Sequence, residues 1–199
     1  MTELNKKIQD NKEEKEQHLT SAALKLFTEK GVKATSVQEI TKEAGVAKGT
    51  FYLYFKDKYE LQDYLIARKS KQLFNDAIKA LNKKKTDNFV DNLIYVIDYI
   101  IDKLTKNKLL LNFISKNLSW GLYNDKLSKL IDDEAIGVQD FFLSELKNNN
   151  IKITNPEIKL YMIIELVSGA IFSSIMNSKP MPIKELKPFL YDEIRGMLS

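Results

Sequence analysis

The segment AGVAKGTFYLYF, Ala44 to Phe55, gathers side chains that suit a polyanion. Lys48 brings an ammonium, Thr50 a hydroxyl, and Tyr52 and Tyr54 phenols. All of these donate to phosphate oxygens or to base edges. On a helix, Phe51 and Phe55 lie four residues apart, so both can face a core. Lys48, Thr50, Tyr52 and Tyr54 then point mainly elsewhere and can reach outward. Gly45 supplies a turn before them. Gly49 lets backbone approach closely, either to the first helix or to a phosphate.

Other chemistries are poorly represented. His18 is the one histidine, in a charged helix start, and there is no cysteine for a disulfide, a thiolate site or a nucleophile. GVAKGT has its lysine before the second glycine, whereas a P-loop needs it after. No His, Asp and Glu cluster has metal-ligand spacing, and Asp132, Asp133 and Glu134 splay around a helix. The expectation is a protein that is not an enzyme and has no cofactor.

The elements that position the segment are helical. Leu19, Ala22, Ala23, Leu26 and Phe27 form an apolar stripe, which predicts a helix over 13–30 closed by Gly31. Thr35 or Ser36 can cap a helix over 37–44, and Glu39 stands at capping-box distance from Ser36. That helix buries Val37, Ile40 and Ala44. A third follows over 47–54. Helix, glycine turn, helix is the arrangement whose second helix enters the DNA major groove. A plain helical hairpin with incidental surface tyrosines is the competing reading; caps, turn and polarity argue against it.

Helical periodicity continues over 57–82, with Asp57 as cap, and over 87–105, 107–120, 125–148, 156–178 and 183–198. The fold class is all-α, about nine helices, with domains at 1–56 and 57–199. Asn155 before Pro156 reads as cap and first-turn proline, and Pro188 is expected to break or kink the last helix. The 199 residues carry a net charge of +4, with 18 basic and 12 acidic residues in 1–85 and 13 against 15 beyond. The front half suits a polyanion and the back half another task. The start is polar, without a signal-peptide core, so a cytoplasmic protein is expected. Leu160 to Met176, the longest apolar run, is interrupted by Glu165 and serines. It falls short of the roughly 20 residues of a membrane span.

The stretch Ala22 to Leu61, AALKLFTEKGVKATSVQEITKEAGVAKGTFYLYFKDKYEL, resembles the DNA-binding domain of TetR-family transcriptional regulators. The likeness rests on the helix 1 glycine, the Thr/Ser start of helix 2, Gly-Val, Lys-Gly-Thr, the aromatics, and the ending Phe55-Lys56-Asp57-Lys58-Tyr59-Glu60-Leu61. Lys33 departs from it, where an aromatic residue often stands. Residues 83–199 match only in length and helical character. The resemblance implies a homodimeric repressor on a palindromic operator of double-stranded DNA, released by a small-molecule effector. It places DNA contacts on Thr35, Ser36, Ala47, Lys48, Gly49, Thr50, Tyr52 and Tyr54, with Lys58 touching phosphate. The alternative is a DNA-binding protein of the same fold that answers to a protein partner or to no ligand.

Arginine occurs only at Arg68 and Arg195, outside the motif, so a bidentate arginine–guanine contact is not available there. An A·T-rich operator read partly by shape is one reading, and lysine replacing arginine through codon bias the other. In the back half Ser168, Gly169, Ala170, Ser173 and Ser174 stand among large apolar residues and let another helix come close. Helices 156–178 and 183–198 of two chains would form a four-helix dimer interface, or the close packing lies within one chain. Phe113, Trp120, Tyr123, Phe141, Phe142, Tyr161, Met162 and Phe172 could line an apolar pocket, with Glu165 as a polar handle.

Overall fold

The computed structural model describes residues 3–115 and 137–199, with side chains from residue 11 onward. The described residues are helical throughout, with no strand. In chain order the helices are α1 (Glu3–Lys30), α2 (Val37–Glu43), α3 (Lys48–Phe51), α4 (Lys58–Leu81), α5 (Phe89–Lys106), α6 (Lys108–Ile114), α7 (Val138–Asn148), α8 (Pro156–Asn177) and α9 (Ile183–Leu198). The chain divides into two compact units, one ending at Leu65 and the other beginning at Ile66.

In the first unit the apolar stripe of α1 buries Leu19, Ala22, Ala23 and Phe27. Ile40 of α2, Phe51 of α3, Phe55 and Leu61 complete this core. Helix α1 begins at Glu3, ten residues before the expected start at 13. Its charged amino-terminal stretch lacks glycine and proline and is rich in Lys and Glu, which sustain a helix without a core. Gly31 ends it at φ +83° and donates to the Phe27 carbonyl at 3.0 Å.

The cap of α2 forms as its spacing predicts. Ser36 Oγ accepts from Glu39 N at 3.2 Å, and Glu39 Oε2 accepts from Ser36 N at 2.8 Å. Lys30 Nζ lies 2.5 Å from Glu39 Oε1. These donors, the lysine first, hold the Glu39 carboxyl down at about 2. Helix α4 is capped by Asp57, whose Oδ1 accepts from Tyr59 N and Glu60 N at 2.8 and 2.9 Å.

Three local expectations change. Helix α3 is one α-turn, not a helix over 47–54, because after Phe51 the chain tightens. Leu53 N donates to Thr50 O and Tyr54 N to Phe51 O, three residues back. Asn155 occupies the N-cap of α8 in the left-handed region, φ 50°, and its side chain makes no capping bond. Pro188 sits inside α9 without ending it. Both Pro188 and Lys184, whose carbonyl loses its helical donor, are exposed, so water can satisfy that carbonyl.

The second unit packs α8 against α9, α5, α6 and α7. Leu160, Ile163, Val167 and Ile171 of α8 are buried, with Ile101 and Leu104 of α5 and Phe142 of α7. Helix α9 is tied to α5 by charge: Lys187 Nζ stands 2.5 Å from both Asp98 Oδ1 and Asp102 Oδ1, and Tyr191 donates to Asp98. Burial and then the Asp98 hydrogen bond push the Tyr191 phenol well above its ordinary value. Helix α8 has 22 residues, longer than its apolar run suggested, and is apolar enough by length and composition to cross a membrane. Only 39 % of its most apolar stretch is buried within the chain.

The α2 cap makes a signed prediction. Glu39 has a depressed folded value, so its contribution is complete above its ordinary value of 4.5 and fades as pH falls toward about 2. Acid titration followed by backbone NMR should loosen α2 in that window, and Glu39→Gln should remove this dependence. Ser36→Ala should lower unfolding stability by about 1 kcal/mol in denaturant melts.

Candidate functional site

The turn between α1 and α2 fixes the first site. Thr35 is buried, and its hydroxyl donates to the Gly31 carbonyl at 2.9 Å. Lys58, at the start of α4, donates from Nζ to the carbonyls of Thr35 and Lys33 at 2.8 and 3.1 Å. An ammonium has three N–H donors, so one remains for an outside acceptor. Lys58 is therefore a strut of the turn as well as a candidate phosphate contact. Thr35 holds the turn and has no hydroxyl to offer outward.

The recognition segment splits in the same way. Lys48 is exposed and makes no hydrogen bond or ion pair among the described residues. Tyr52 is 53 % exposed, its ring edge-on against Phe51 at 5.4 Å. Tyr54 is half-buried, and its hydroxyl donates to the Lys12 carbonyl of α1 at 3.0 Å. Burial pushes that phenol up. Tyr54 thus ties the recognition turn to α1, and its ring packs beside Phe55. Ala47 and Gly49 are exposed, Thr50 is half-buried, and Ser36 is exposed at the α2 cap. A Cβ on Gly49 would meet nothing within 4 Å, so no element of the chain approaches there and the backbone faces open space.

Leu53 was not among the expected contacts. It is 81 % exposed, the most exposed large apolar residue described. The signal was present in the sequence: if Phe51 and Phe55 face inward, the residue midway between them faces out. A thymine methyl is the apolar group a major groove presents.

Charge on this unit is partly spent internally. Lys25 pairs with Glu43 at 2.7 Å and Lys30 with Glu39. Lys33, Lys42, Lys48 and Lys56 remain exposed and make no side-chain ion pair among the described residues. Exposed lysines without partners favour a phosphate backbone.

A second candidate site lies in the second unit. A cavity of about 70 Å³ is walled by α4 (Leu73, Phe74), α5 (Leu93, Ile97) and α8 (Leu160, Ile164). Among the described residues, none of those expected to line a pocket lines it. Phe142 and Phe113 are buried in packing, and Phe141 stands edge-on to Phe74 at 5.7 Å, part of the core cluster. Tyr161, Met162 and Glu165 are exposed and Phe172 half-buried. Trp120 and Tyr123 lie outside the described residues. Aliphatic side chains form the cavity instead, because the face of α8 that turns inward carries Leu160, Ile163, Ile164 and Val167.

The outer face of α8 is the third feature. Ile158, Tyr161, Met162 and Leu166 are exposed along it, and Phe189 of α9 is 61 % exposed. Gly169 is exposed, and a Cβ there would meet nothing within 4 Å. Close packing among the described residues therefore does not explain this glycine. Ser168 and Ser174 turn inward: their hydroxyls donate to the carbonyls of Glu165 and Met181 at 3.1 and 2.7 Å. Ala170 and Ser173 are half-buried.

Known proteins place this geometry. Residues 19–65 match the family described as bacterial regulatory proteins, tetR family. A Staphylococcus aureus protein (strain bovine RF122 / ET3-1) described as an HTH-type transcriptional regulator is 28 % identical over 179 residues, covering 89 % of this chain and 90 % of that one. A TetR-family regulator structure from Syntrophomonas wolfei superposes with a TM-score of 0.67 at 20 % identity, covering 94 % and 96 % of the two chains. The structure of FadR from Bacillus subtilis in complex with stearoyl-CoA superposes with a TM-score of 0.60 at 21 % identity, covering 92 % and 97 %. Residues 19–65 thus carry the helix-turn-helix of the tetR family of bacterial regulatory proteins, and the all-helical fold of the described residues is shared with TetR-family regulator structures.

Proposed function

We propose that the protein is a cytoplasmic repressor that binds a palindromic operator as a homodimer and leaves it when a small apolar effector occupies the second unit. The observation that carries the reading is the recognition turn: Lys48, Tyr52 and Leu53 stand outward and unengaged, while Thr35, Tyr54 and Lys58 spend their polar groups holding them. Ser36, Ala47, Lys48, Gly49, Thr50, Tyr52 and Leu53 meet DNA in this reading. Lys58 adds its remaining donor to a phosphate. The apolar cavity favours an effector over control by a protein partner. Relatives' names support regulation; the stearoyl-CoA complex supports a ligand for that neighbour.

Dimerisation rests on the outer face of α8. A face carrying Ile158, Met162 and Leu166 beside Phe189 of α9 is more apolar than a solvated helix needs. A second copy covers it in a two-fold arrangement, with Gly169 letting the helices approach. Two recognition turns one helical turn apart then read a palindrome. Gly169→Leu and Met162→Asp should each raise the dimer dissociation constant at least about tenfold, which is about 1.4 kcal/mol, by sedimentation. A monomer at micromolar concentration in the unmutated protein would contradict the arrangement.

On DNA, Lys48→Ala and Tyr52→Ala should abolish or strongly weaken operator binding in gel shifts and leave the melting temperature unchanged. Tyr54→Phe should instead act on the turn, lowering stability by about 1 kcal/mol. Affinity should fall steeply with salt, because lysine charges displace counterions. Operator selection from random DNA should return A·T-rich half-sites; half-sites with contacted G·C pairs would remove the shape reading.

Helix α4 begins with Lys58 in the first unit and continues into the second, where Leu73 and Phe74 wall the cavity. An effector that prefers one setting of α4 must oppose the operator if the operator prefers another. Linkage makes the opposition reciprocal, typically about 5–150-fold. Titrating each ligand in the presence of the other should give the same factor both ways. Equal affinities throughout would mean that no effector acts.

A further inference from the structure

Within the cavity of the second unit, one polar atom stands out. Ser70 of α4 is 2 % exposed, and its Oγ is buried with no hydrogen-bond partner. Ser70 lines the cavity, one turn of helix before Leu73 and Phe74. The other described lining residues are apolar, and none of them carries a charge.

A buried hydroxyl without a partner is a costly arrangement unless something else completes it. Water fits poorly. An ordered buried water needs two to four polar partners, and the described lining offers it one hydroxyl. A charged group fits worse, because nothing in the lining compensates it. Size limits the occupant further. A cavity of about 70 Å³ has room for about five water-sized centres. A drug-sized aromatic compound needs a pocket of about 300 Å³ or more. A slim chain that carries one oxygen satisfies all three conditions. Its methylenes replace water along the aliphatic wall, and its oxygen takes the Ser70 hydroxyl.

We propose that the cavity binds an uncharged, unbranched aliphatic molecule with one oxygen, anchored by a hydrogen bond to Ser70 Oγ. This deepens the proposed function and rests on its reading of the second unit as the effector-binding unit. Ser70 is then the specificity residue of the site. It selects a chain that carries an oxygen, while the apolar lining disfavours carboxylates and cations.

The test uses the full chain and 1-propanol, 1-butanol and 1-pentanol as probes, with butanoate as the charged control. Binding is followed by NMR at the methyls of Ile97 and Val167, which line the cavity. Affinity should tighten about fourfold per methylene along the alcohols. Ser70→Ala should weaken each alcohol about fivefold to tenfold and leave the melting temperature equal or higher, since it removes an unpaired hydroxyl. Butanoate should not compete. Equal alcohol affinities in both proteins, competition by butanoate, or shifts confined to other methyls would overturn the assignment. Operator affinity, read in the same titrations, separates the two levels. If 1-pentanol binds at Ser70 without weakening the operator, the site stands and the repressor-release reading fails. If another compound releases the operator while no alcohol binds at Ser70, the site fails and the release reading stands.

Discussion

Two backbone carbonyls between α1 and α2, those of Lys33 and Thr35, have no helical partner, and the Lys58 ammonium takes both. The first unit is organised around this arrangement. An unsatisfied carbonyl at a partly buried site costs about 1–3 kcal/mol, so the turn needs a donor from elsewhere. Lys58 supplies it from the far side of the recognition turn, at a sequence distance no local rule links to Thr35. With the turn held, Ser36 is free to cap α2, and Glu39 can close the box while pairing with Lys30. Helix α2 has only seven residues and would be marginal alone. Its caps, Ile40 in the core and the pinned turn make it a fixed platform for the one-turn α3.

The interface surface is what remains after these internal needs are met. Thr35 and Tyr54 look alike to a sequence motif, as hydroxyls near the DNA. In the fold both hydroxyls donate to backbone carbonyls. Tyr52 and Leu53 have no such task and stand open. A motif therefore marks positions in an interface, and the atoms that meet a partner are decided by hydrogen bonds the motif does not describe. A turn held by polar side chains keeps its exposed residues in place before a partner arrives, which lowers the ordering cost of binding.

The second unit shows a related division on one helix. The inner side of α8 gives Leu160, Ile163, Ile164 and Val167 to the core and the cavity wall, while its outer side keeps Ile158, Met162 and Leu166 exposed. A helix that is apolar all round has to be covered on more than one side. Among the described residues the outer side keeps Ile158, Met162 and Leu166 exposed. Helix α9 buries Leu190, Ile194 and Leu198 and is also tied to α5 by the Lys187, Asp98, Asp102 and Tyr191 cluster. Phe189 on the same helix lies off that buried face and stays outward.

The all-helical class, the stripe of α1, the Ser36–Glu39 box, the Asp57 cap, the glycine stops at Gly31 and Gly45 and the helix-turn-helix were legible in the sequence. Each depends on neighbours within about four residues, where periodicity and capping act. The shortness of α3, the inward bonds of Thr35, Tyr54 and Lys58, and the exposure of Leu53 depend on what packs against the segment. The cavity is the clearest case. Aromatic and methionine content pointed to Phe141, Phe142, Tyr161 and Met162, but a void forms where packed side chains fail to meet, and that is a property of four helices together. Local chemistry determined which segments fold and which one gathers donors suited to a polyanion; only the tertiary structure decided which of their atoms remain free, because a hydrogen bond to a distant carbonyl removes a donor that no local pattern can show to be taken.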